Sequence, residues 1–389
     1  MNAAEQTSDN LVVPASLSYP AARLRLGIIY VGVLVAAAVG LLVADLDDNL
    51  LLRTLDARFG VFISLGLLVG MATLLSFPFD LIGGHLLPKA FGRDAVSLSR
   101  TVLGLLRGAF NHAGLLWMIG SAYLVAAQVG GWAFVPVAAV GFMVLLVGAQ
   151  TTVAQFVGGV CESSTAPTEA RVLPITFMAS KEASFSGAIV GWPGADRIVI
   201  AEGWRERLHP RLYELFVGRR IAAVELGLRR RGVVVAILWN LTGISGAAYL
   251  SGISGTAVAE LIDFVCITTL WSFIGLLTLP SCSRRAVTAV DQHMLAVGYS
   301  RDDLTELARI TGGWQDGEAS RSPVIETIFH PQPSTENRTA AFDRRAPRWA
   351  AWNLARMTLY LSWASLGLLS RSVHSNAGRP DLWAMGAVD

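Results

Sequence analysis

The sequence predicts a mainly α-helical, polytopic (multi-pass) membrane protein that carries a split cytoplasmic α+β domain. Of its 389 residues, 53% are hydrophobic and only 15% are charged, whereas ordinary soluble domains are about a quarter charged. Long apolar stretches alternate with two polar segments, at about 157–232 and 280–350. The formal net charge of +2 gives no indication of a nucleic-acid partner.

Six stretches are each predicted to form a transmembrane helix, because a helix needs about 20 mostly apolar residues to cross the hydrocarbon core. They cover roughly 26–44, 61–82, 113–130, 132–156, 233–252 and 257–279. Short glycine-containing links at 130–132 and 251–255 make the third and fourth stretches one hairpin and the fifth and sixth another. A seventh stretch, 352–369, is interrupted by Arg356, so it spans the membrane, lies in the interface or packs on a domain.

Lysine and arginine residues flank the predicted spans on one side only, which sets their orientation by the positive-inside rule. They are Arg23, Arg25, Lys89, Arg93, Arg100, Arg107, Arg229, Arg230, Arg231, Arg284 and Arg285. The opposite loop, 45–60, holds four aspartates against two arginines. We therefore expect the N-terminus and both polar segments on the cytoplasmic side of a bacterial inner membrane. Residues 1–22 lack the order of a cleaved signal peptide, so the first span is expected to remain as an anchor.

These boundaries divide the chain into six parts. They are a cytoplasmic tail (1–25), a four-helix membrane region (26–156), the first part of the cytoplasmic domain (157–232), a membrane hairpin (233–279), the second part of that domain (280–350) and a C-terminal amphipathic or membrane helix with its tail (351–389). The last two parts include Trp349, Trp352, Trp363 and Trp383, which suit a partly embedded interfacial helix. The tail at 371–386 could dock a partner.

The first polar segment contains a predicted strand and a predicted amphipathic helix. The β-rich run 197–200 follows a Gly/Pro turn, which indicates a hairpin or an edge strand. The helix covers 212–232, "LYELFVGRRIAAVELGLRRRG", and Arg219 lies on its apolar stripe. Glu225 and Arg229 stand four residues apart on it, a spacing that predicts a surface ion pair.

The order of these parts resembles the membrane-embedded gluzincin metallopeptidases of the heat-shock and CAAX-prenyl-protease type (peptidase family M forty-eight). In that family a β-hairpin precedes a zinc helix with a His-Glu-x-x-His motif, and a membrane hairpin, a third-ligand helix and a His-Pro…Arg segment follow. The matching stretches are "PGADRIVIAEGW" (193–204), 212–232, 233–279, "SRRAVTAVDQHMLAVG" (283–298) and "HPQPSTENR" (330–338). The resemblance covers about 190–340, and the first four spans lie outside it.

The motif positions do not carry the chemistry that this resemblance implies. Arg219 and Ala223 stand where the family has its two zinc-binding histidines, and Arg220 stands where it has the general base. Val287 occupies the third-ligand position, which leaves Asp291 as the residue that matches that motif. A guanidinium has no lone pair to give a metal.

No other residue pattern supplies a replacement for the missing metal ligands. The six histidines include no pair three or four residues apart, and the three cysteines form no C-x-x-C pair. We therefore expect no metal, no cofactor and no catalytic residue.

Two interpretations of Arg219 and Arg220 stay open. They are charges of the cytoplasmic face that reach water and obey the positive-inside rule, or Arg219 fills the former metal cleft and binds a carboxylate, a lipid phosphate or a partner side chain. The adjacent Arg229, Arg230 and Arg231 are predicted to be an orientation signal, with weak attraction to anionic lipid headgroups as a by-product.

Three acidic residues in the predicted spans are functional candidates by default, because charge inside a membrane is costly. Asp80 lies at the cytoplasmic end of the second span, and Glu260 and Asp263 lie three residues apart near the outer end of the sixth. Those depths allow hydration, so a structural role is favoured for each of the three.

The sequence favours a catalytically inactive, metallopeptidase-like pseudoenzyme that acts as scaffold, adaptor or regulator of a membrane-protein partner. An active membrane metallopeptidase with a non-standard site is an alternative, and it predicts bound zinc and peptide cleavage that a chelator abolishes. A transporter or channel subunit that uses the three acidic residues is a second alternative, although no repeat of broken helices is evident. Besides the lipid bilayer, no partner is specified.

Overall fold

The structure, a computed structural model, describes residues 17–44, 46, 49–93, 97–165, 173–345 and 347–385. Its helices are α1 (Tyr19–Val43), α2 (Leu50–Phe59), α3 (Val61–Leu81), α4 (Leu87–Ala90), α5 (Leu98–Gly130), α6 (Phe134–Gly148), α7 (Gln150–Val153), α8 (Glu202–Arg207), α9 (Pro210–Glu225), α10 (Leu228–Ser251), α11 (Val258–Thr278), α12 (Pro280–Ala296), α13 (Arg301–Trp314), α14 (Pro323–Phe329), α15 (Thr335–Thr339), α16 (Leu354–Leu361) and α17 (Leu369–Ser372). Its strands are β1 (Cys161–Thr165), β2 (Ile175–Ala179), β3 (Gly187–Val190) and β4 (Arg197–Ala201).

Among the described residues, five helical runs are long and apolar enough to cross a membrane, judged by length and composition. They are Tyr19–Val43, Val61–Ala90, Leu98–Gly148, Leu228–Ser251 and Val258–Ala296. The predicted third and fourth stretches correspond to α5 and α6, which count as one run because only the short turn Gly131–Ala133 separates them. The last run continues from α11 into α12, so its second half reaches the polar part of the molecule.

The sheet of the polar domain has the strand order β1-β2-β4-β3. β3 and β4 pair antiparallel as a hairpin, and β2 pairs parallel with β4. The predicted strand over 197–200 is therefore β4, an interior strand and not an edge strand. Ile198, Val199 and Ile200 are fully buried, as β-branched side chains of a central strand should be.

The amphipathic helix predicted over 212–232 is in fact two helices. α9 ends at Glu225, Gly227 takes a left-handed conformation (φ +68°), and α10 starts at Leu228 and continues through the membrane run. A left-handed residue suits glycine and breaks the helical hydrogen-bond ladder. Glu225 and Arg229 therefore do not share one helix, and the predicted i,i+4 surface pair is wrong.

The seventh apolar stretch, 352–369, packs inside the protein. Its helix, α16, has eight residues, about 12 Å of rise against the roughly 30 Å of a hydrocarbon core, so it is too short to span. Trp352, Trp363 and Trp383 are at most 3% exposed, so the prediction of an interfacial tryptophan helix is wrong. Internal partners satisfy two of the rings: Trp363 Nε1 donates to Ser370 Oγ, and Trp383 Nε1 donates to the Asn376 carbonyl.

Residues 354–385, which we call the C-terminal segment, pack inside the protein against the membrane helices and, toward their end, against the polar domain. Arg23 of α1 donates to the carbonyls of His374 and Ala377 at 3.0 and 2.9 Å. Tyr360 donates to the Leu146 carbonyl of α6 at 2.8 Å. The tail predicted as a docking element is thus internal as far as Met385, and residues 386–389 lie outside the described ones.

Glycines let the C-terminal segment approach the backbone that follows α3. A Cβ on Gly83 would lie 2.4 Å from the Ala377 carbonyl oxygen, and one on Gly84 would lie 2.4 Å from that of Gly378. Both contacts are with backbone atoms, which cannot rotate away. This stretch, Ile82–Leu86, is a π-helical turn, a local feature that often marks functional or tightly packed sites.

Candidate functional site

The positions that the motif resemblance singled out meet where α9 packs on α12. Arg219 of α9 donates from Nε to Oδ1 of Asp291 on α12 at 2.9 Å, and both side chains are almost fully buried. Arg338 contributes a second guanidinium, with Nε 2.5 Å from Oδ2 and Nη2 2.8 Å from Oδ1. We call Arg219, Asp291 and Arg338 the arginine–aspartate cluster.

The charges of the cluster are not balanced, because two guanidiniums face one carboxylate. A bidentate arginine–carboxylate pair is the strongest form of side-chain hydrogen bond. The carboxylate also accepts a third bond from Arg219, so both of its oxygens are used. The Trp352 ring lies 5.8 Å from the Arg219 guanidinium carbon and adds a cation–π contact.

Arg220, unlike Arg219, binds backbone carbonyls of the sheet region. It donates to the Val199 carbonyl of β4 and to the Ser186 carbonyl beside β3, each at 3.0 Å, and it is fully buried. Its guanidinium also lies 4.1 Å from the Phe216 ring centre. Arg220 therefore joins α9 to the sheet, and no carboxylate base stands at this position.

The residues at the motif positions do not fit a zinc ion. Ala223 and Val287 are buried hydrophobic side chains in the same core. Within the described ranges, no group of three or more histidine, cysteine, aspartate or glutamate side chains could hold a metal. Zinc requires nitrogen, sulfur or carboxylate ligands, and both oxygens of Asp291 already accept hydrogen bonds from two arginines.

The snorkelling interpretation of Arg219 and Arg220 is wrong, because neither side chain is exposed. Arg219 does hold an anion, but that anion is the internal carboxylate of Asp291. Arg229 is buried as well and donates to the carbonyls of Ile189 and Gly191, at 3.2 and 3.4 Å. Of the five arginines considered for lipid contact, Arg230 and Arg231 are exposed.

The three acidic candidates in the membrane helices lie at two ends of the bundle. Asp80 and Glu260 are engaged by other groups of the same chain. Asp80 forms a fully buried ion pair with Arg371 at 2.5 Å and accepts from the Gly378 N–H at 3.1 Å. Glu260 accepts from the backbone N–H of Ser254 at 2.7 Å, which fixes the loop before α11. Asp263 is half-buried on α11.

Asp80 and Glu260 do not form one polar path. The Val258 N–H at the start of α11 donates to Asp56 of α2, just before α3 begins, whereas Asp80 is at the end of α3. The two carboxylates are therefore separated by the length of that helix.

Three further arginines, Arg338, Arg371 and Arg379, complete these buried contacts. No local pattern marks them: Arg338 ends the closing segment without a predicted role, and Arg371 and Arg379 stand in the tail. Arg379 pairs with Asp316 at 2.6 Å and with Glu182 at 3.3 Å. One sequence feature did point to such a contact: an aspartate in a membrane span, Asp80, needs a cationic partner. The sequence does not show that this partner is Arg371, which lies 291 residues away.

Neither a protein-family model nor a curated protein matches this sequence. Among solved structures, the fold is similar to the crystal structure of Ste24p from S. mikatae, with a TM-score of 0.58 and 15% sequence identity. The match covers 84% of this chain and 83% of that chain, so it extends well beyond 190–340. Ste24p belongs to the family that the motif order resembles, which confirms a metallopeptidase-like fold and a multi-pass membrane protein. At this identity the similarity concerns the fold alone.

Proposed function

We propose that this chain is a non-catalytic member of the membrane-metallopeptidase fold, which binds and positions a membrane-protein partner and does not hydrolyse peptides. The observation that supports the proposal is the arginine–aspartate cluster, which includes Arg219 and Asp291 at positions that the motif resemblance assigns to the metal centre. A hydrolase of this type needs a metal-bound water and a carboxylate to take its proton. Here the base position holds Arg220, whose guanidinium is always charged and cannot accept a proton, and the ligand positions hold Arg219, Ala223 and Val287.

The proposal includes a topology. The N-terminal tail and the polar parts at 157–232 and 280–350 face the cytoplasm, and α10 with α11 forms the membrane hairpin between them. The lysine and arginine bias of the flanking loops supports this orientation. We place the protein in a bacterial inner membrane and keep the divisions set out above as its domain organisation, except that 351–385 packs inside the protein.

The test is elemental analysis of the full chain, purified in mild detergent without chelator, together with a peptide-cleavage assay on the same preparation. We expect no stoichiometric zinc and no cleavage that a chelator abolishes, because the ligands and the base are missing. A preparation that contains zinc at one ion per chain, or that cleaves peptide in a chelator-sensitive way, would show an active peptidase instead.

The scaffold part of the proposal has its own measurement on that preparation. A membrane protein should co-purify at fixed stoichiometry and stay bound during washing, in contrast to a control purification of an unrelated membrane protein. If the chain elutes alone under these conditions and also lacks zinc, the scaffold role is contradicted while the absence of catalysis stands.

A further inference from the structure

We propose that the protein binds a single-chain amphiphile with an anionic head, in two adjoining cavities that the C-terminal segment helps to form. The anionic head is a phosphate or a carboxylate, and it occupies a cationic cavity in the polar domain. The apolar chain occupies a cavity between α1, α11 and the C-terminal segment. This site goes beyond the function proposed above, because it exists whether or not the protein cleaves peptides.

The apolar cavity has a volume of about 280 Å³, near the lower end of the range of about 300–1,000 Å³ for small-molecule sites. Leu24 and Ile28 of α1, Phe273 and Leu277 of α11, and Met357 of α16 contribute to its lining. Ile28 is 43% exposed and Leu277 39% exposed. Because both belong to membrane-spanning runs, the cavity opens toward the lipid side of α1 and α11.

The depth of this cavity suits a lipid chain. Its α1 residues come from the first half of that helix, and its α11 residues come from the second half. The two helices pack together, so these halves lie at the same end of the bundle, the end that leads into α12 and the polar domain. A chain that enters here from the bilayer leaves its head at the level of the polar domain.

The second cavity lies at that level and is lined mainly by polar groups. Its volume is about 60 Å³, which holds several water-sized groups at roughly 15 Å³ each. Arg321, Arg338 and Arg356 line it, and so do the acidic Asp316 and Glu318. The three arginines outnumber these two acids, of which Asp316 pairs with Arg379 at 2.6 Å and Glu318 accepts from the Ser18 hydroxyl at 2.9 Å.

Two residues that line the cationic cavity bury hydrogen-bond donors that lack a partner. Within the part of the chain that the structure describes, Arg321 Nε and Gln315 Nε2 donate to no acceptor. The Arg321 guanidinium donates one long hydrogen bond, 3.4 Å from Nη1 to the Gln332 carbonyl. Buried donors of this kind are rare in folded proteins and call for an acceptor. An anionic oxygen in the cavity supplies one.

Burial and nearby arginines lower the pKa of the two histidines beside the cavity. His330 and His374 pack edge to face, with ring centres 4.8 Å apart. Burial lowers the pKa of His374 to about 3, and the guanidiniums of Arg356 and Arg321 are among the charges that lower it further. The pKa of His330 falls for the same reasons, burial first. Both rings are therefore neutral at pH 7, and they leave the arginine charge to attract an anion.

The two cavities adjoin, since Pro331, Arg356, His374 and Ser375 line both of them. Arg356 thus stands at the boundary, where an arginine can contact an anionic head while its stem lies along an apolar chain. One molecule with both properties fits the pair of cavities. The same head chemistry occurs in lysophosphatidate and in fatty acids, so the experiment includes both.

The test measures binding to the full chain in detergent by native mass spectrometry. The probes are lysophosphatidate and a fatty acid of equal chain length, with zwitterionic lysophosphatidylcholine and inorganic phosphate as controls. We expect at least one anionic amphiphile to bind about tenfold more tightly than lysophosphatidylcholine, since a charge-assisted hydrogen bond contributes about that factor. Equal binding of the zwitterionic lipid would overturn the site, and so would binding of free phosphate as tight as that of lysophosphatidate.

Matched variants separate the two cavities. Arg321→Gln should weaken anionic amphiphile binding about tenfold, whereas Arg309→Gln, an exposed α13 arginine paired with Glu306, should leave it unchanged. Gly32→Trp places a ring at the apolar cavity and should weaken binding of the long-chain probes. Gly40→Trp, at an equally open glycine of α1 outside the cavity, should not. If Gly32→Trp and Gly40→Trp bind equally, the apolar cavity does not hold the chain, even where Arg321→Gln fails to fold.

Discussion

At the scale of single residues, the site is defined by how buried charges are matched. Arg219 and Arg338 share the carboxylate of Asp291, and Arg371 pairs with Asp80 where both are fully buried. Removing one partner of a buried pair is costly because the remaining charge is left without solvent or counter-ion. These buried ion pairs therefore hold distant elements of the fold together.

This argument predicts the effect of Asp291→Asn. The asparagine keeps the volume but leaves two buried guanidiniums without a counter-charge, so we expect a loss of about 3 kcal/mol or more in unfolding free energy. Thermal unfolding of the purified protein in detergent measures it. Asp343→Asn is the matched control, because Asp343 pairs with Arg301 at the surface with its side chain 72% exposed, and such pairs contribute little. Equal thermal shifts in the two variants would contradict a structural role for the cluster.

At the scale of the elements, the close approach of the C-terminal segment to the turn after α3 gives a second prediction. Gly83→Ala brings a Cβ to 2.4 Å from the Ala377 carbonyl oxygen, so the segment must shift. We expect lower thermal stability and faster proteolysis within 371–385.

Gly70→Ala is the control for this substitution, since Gly70 lies on α3 with nothing within 4 Å of an added Cβ. Alanine at an exposed helical position should stabilise by up to about 1 kcal/mol. Both variants gaining stability would mean that the segment does not pack against the turn as described.

The elements also show what sequence reasoning can and cannot provide. Local patterns predicted β4 from its β-branched residues and the membrane runs from their length and hydrophobicity. The division between α9 and α10 was missed because Gly227 is flanked by helix-forming residues on both sides, and isolated glycines are often tolerated in helices. The sequence does not decide where 352–369 lies, because a short apolar helix with one arginine suits a membrane interface and a protein core equally well. Only the three-dimensional packing of Tyr360 and Trp363 decides it.

At the scale of the whole molecule, the proposed orientation predicts which cysteine a membrane-impermeant maleimide reaches. Cys161 of β1 is exposed, whereas Cys266 is buried. If the polar domain is cytoplasmic, Cys161 should be labelled in inverted membrane vesicles and protected in intact spheroplasts, with mass spectrometry to assign the site. A Cys282→Ser background removes the half-buried third thiol. Labelling of Cys161 from the outside would reverse the proposed topology.

The metallopeptidase-like arrangement could be predicted from the order of motifs, and the lack of ligand side chains could be read at the three positions that match the family's zinc ligands. The replacement chemistry could not, because the partners of Asp80 and Asp291 are separated from them by long stretches of chain. Arg338 follows Asp291 by 47 residues, and Arg371 follows Asp80 by 291. Spacing of this kind carries no periodic signal, so ion pairs between distant elements appear only once the fold is known.

The internal position of the C-terminal segment has a consequence for biosynthesis. Arg23 and Asp80 belong to helices that enter the membrane early, whereas their partners at 371–378 are translated after all five apolar runs. Until then, Asp80 lacks the guanidinium of Arg371, and Arg23 keeps only its contacts with Tyr19 and the Gly83 carbonyl, so enclosing these charges in hydrocarbon is costly. The early helices must therefore remain loosely associated and hydrated on one side, and the bundle closes only when the late segment threads between them. Insertion and compaction are thus separate stages for this protein, and a ribosome stalled before residue 371 should hold an open bundle.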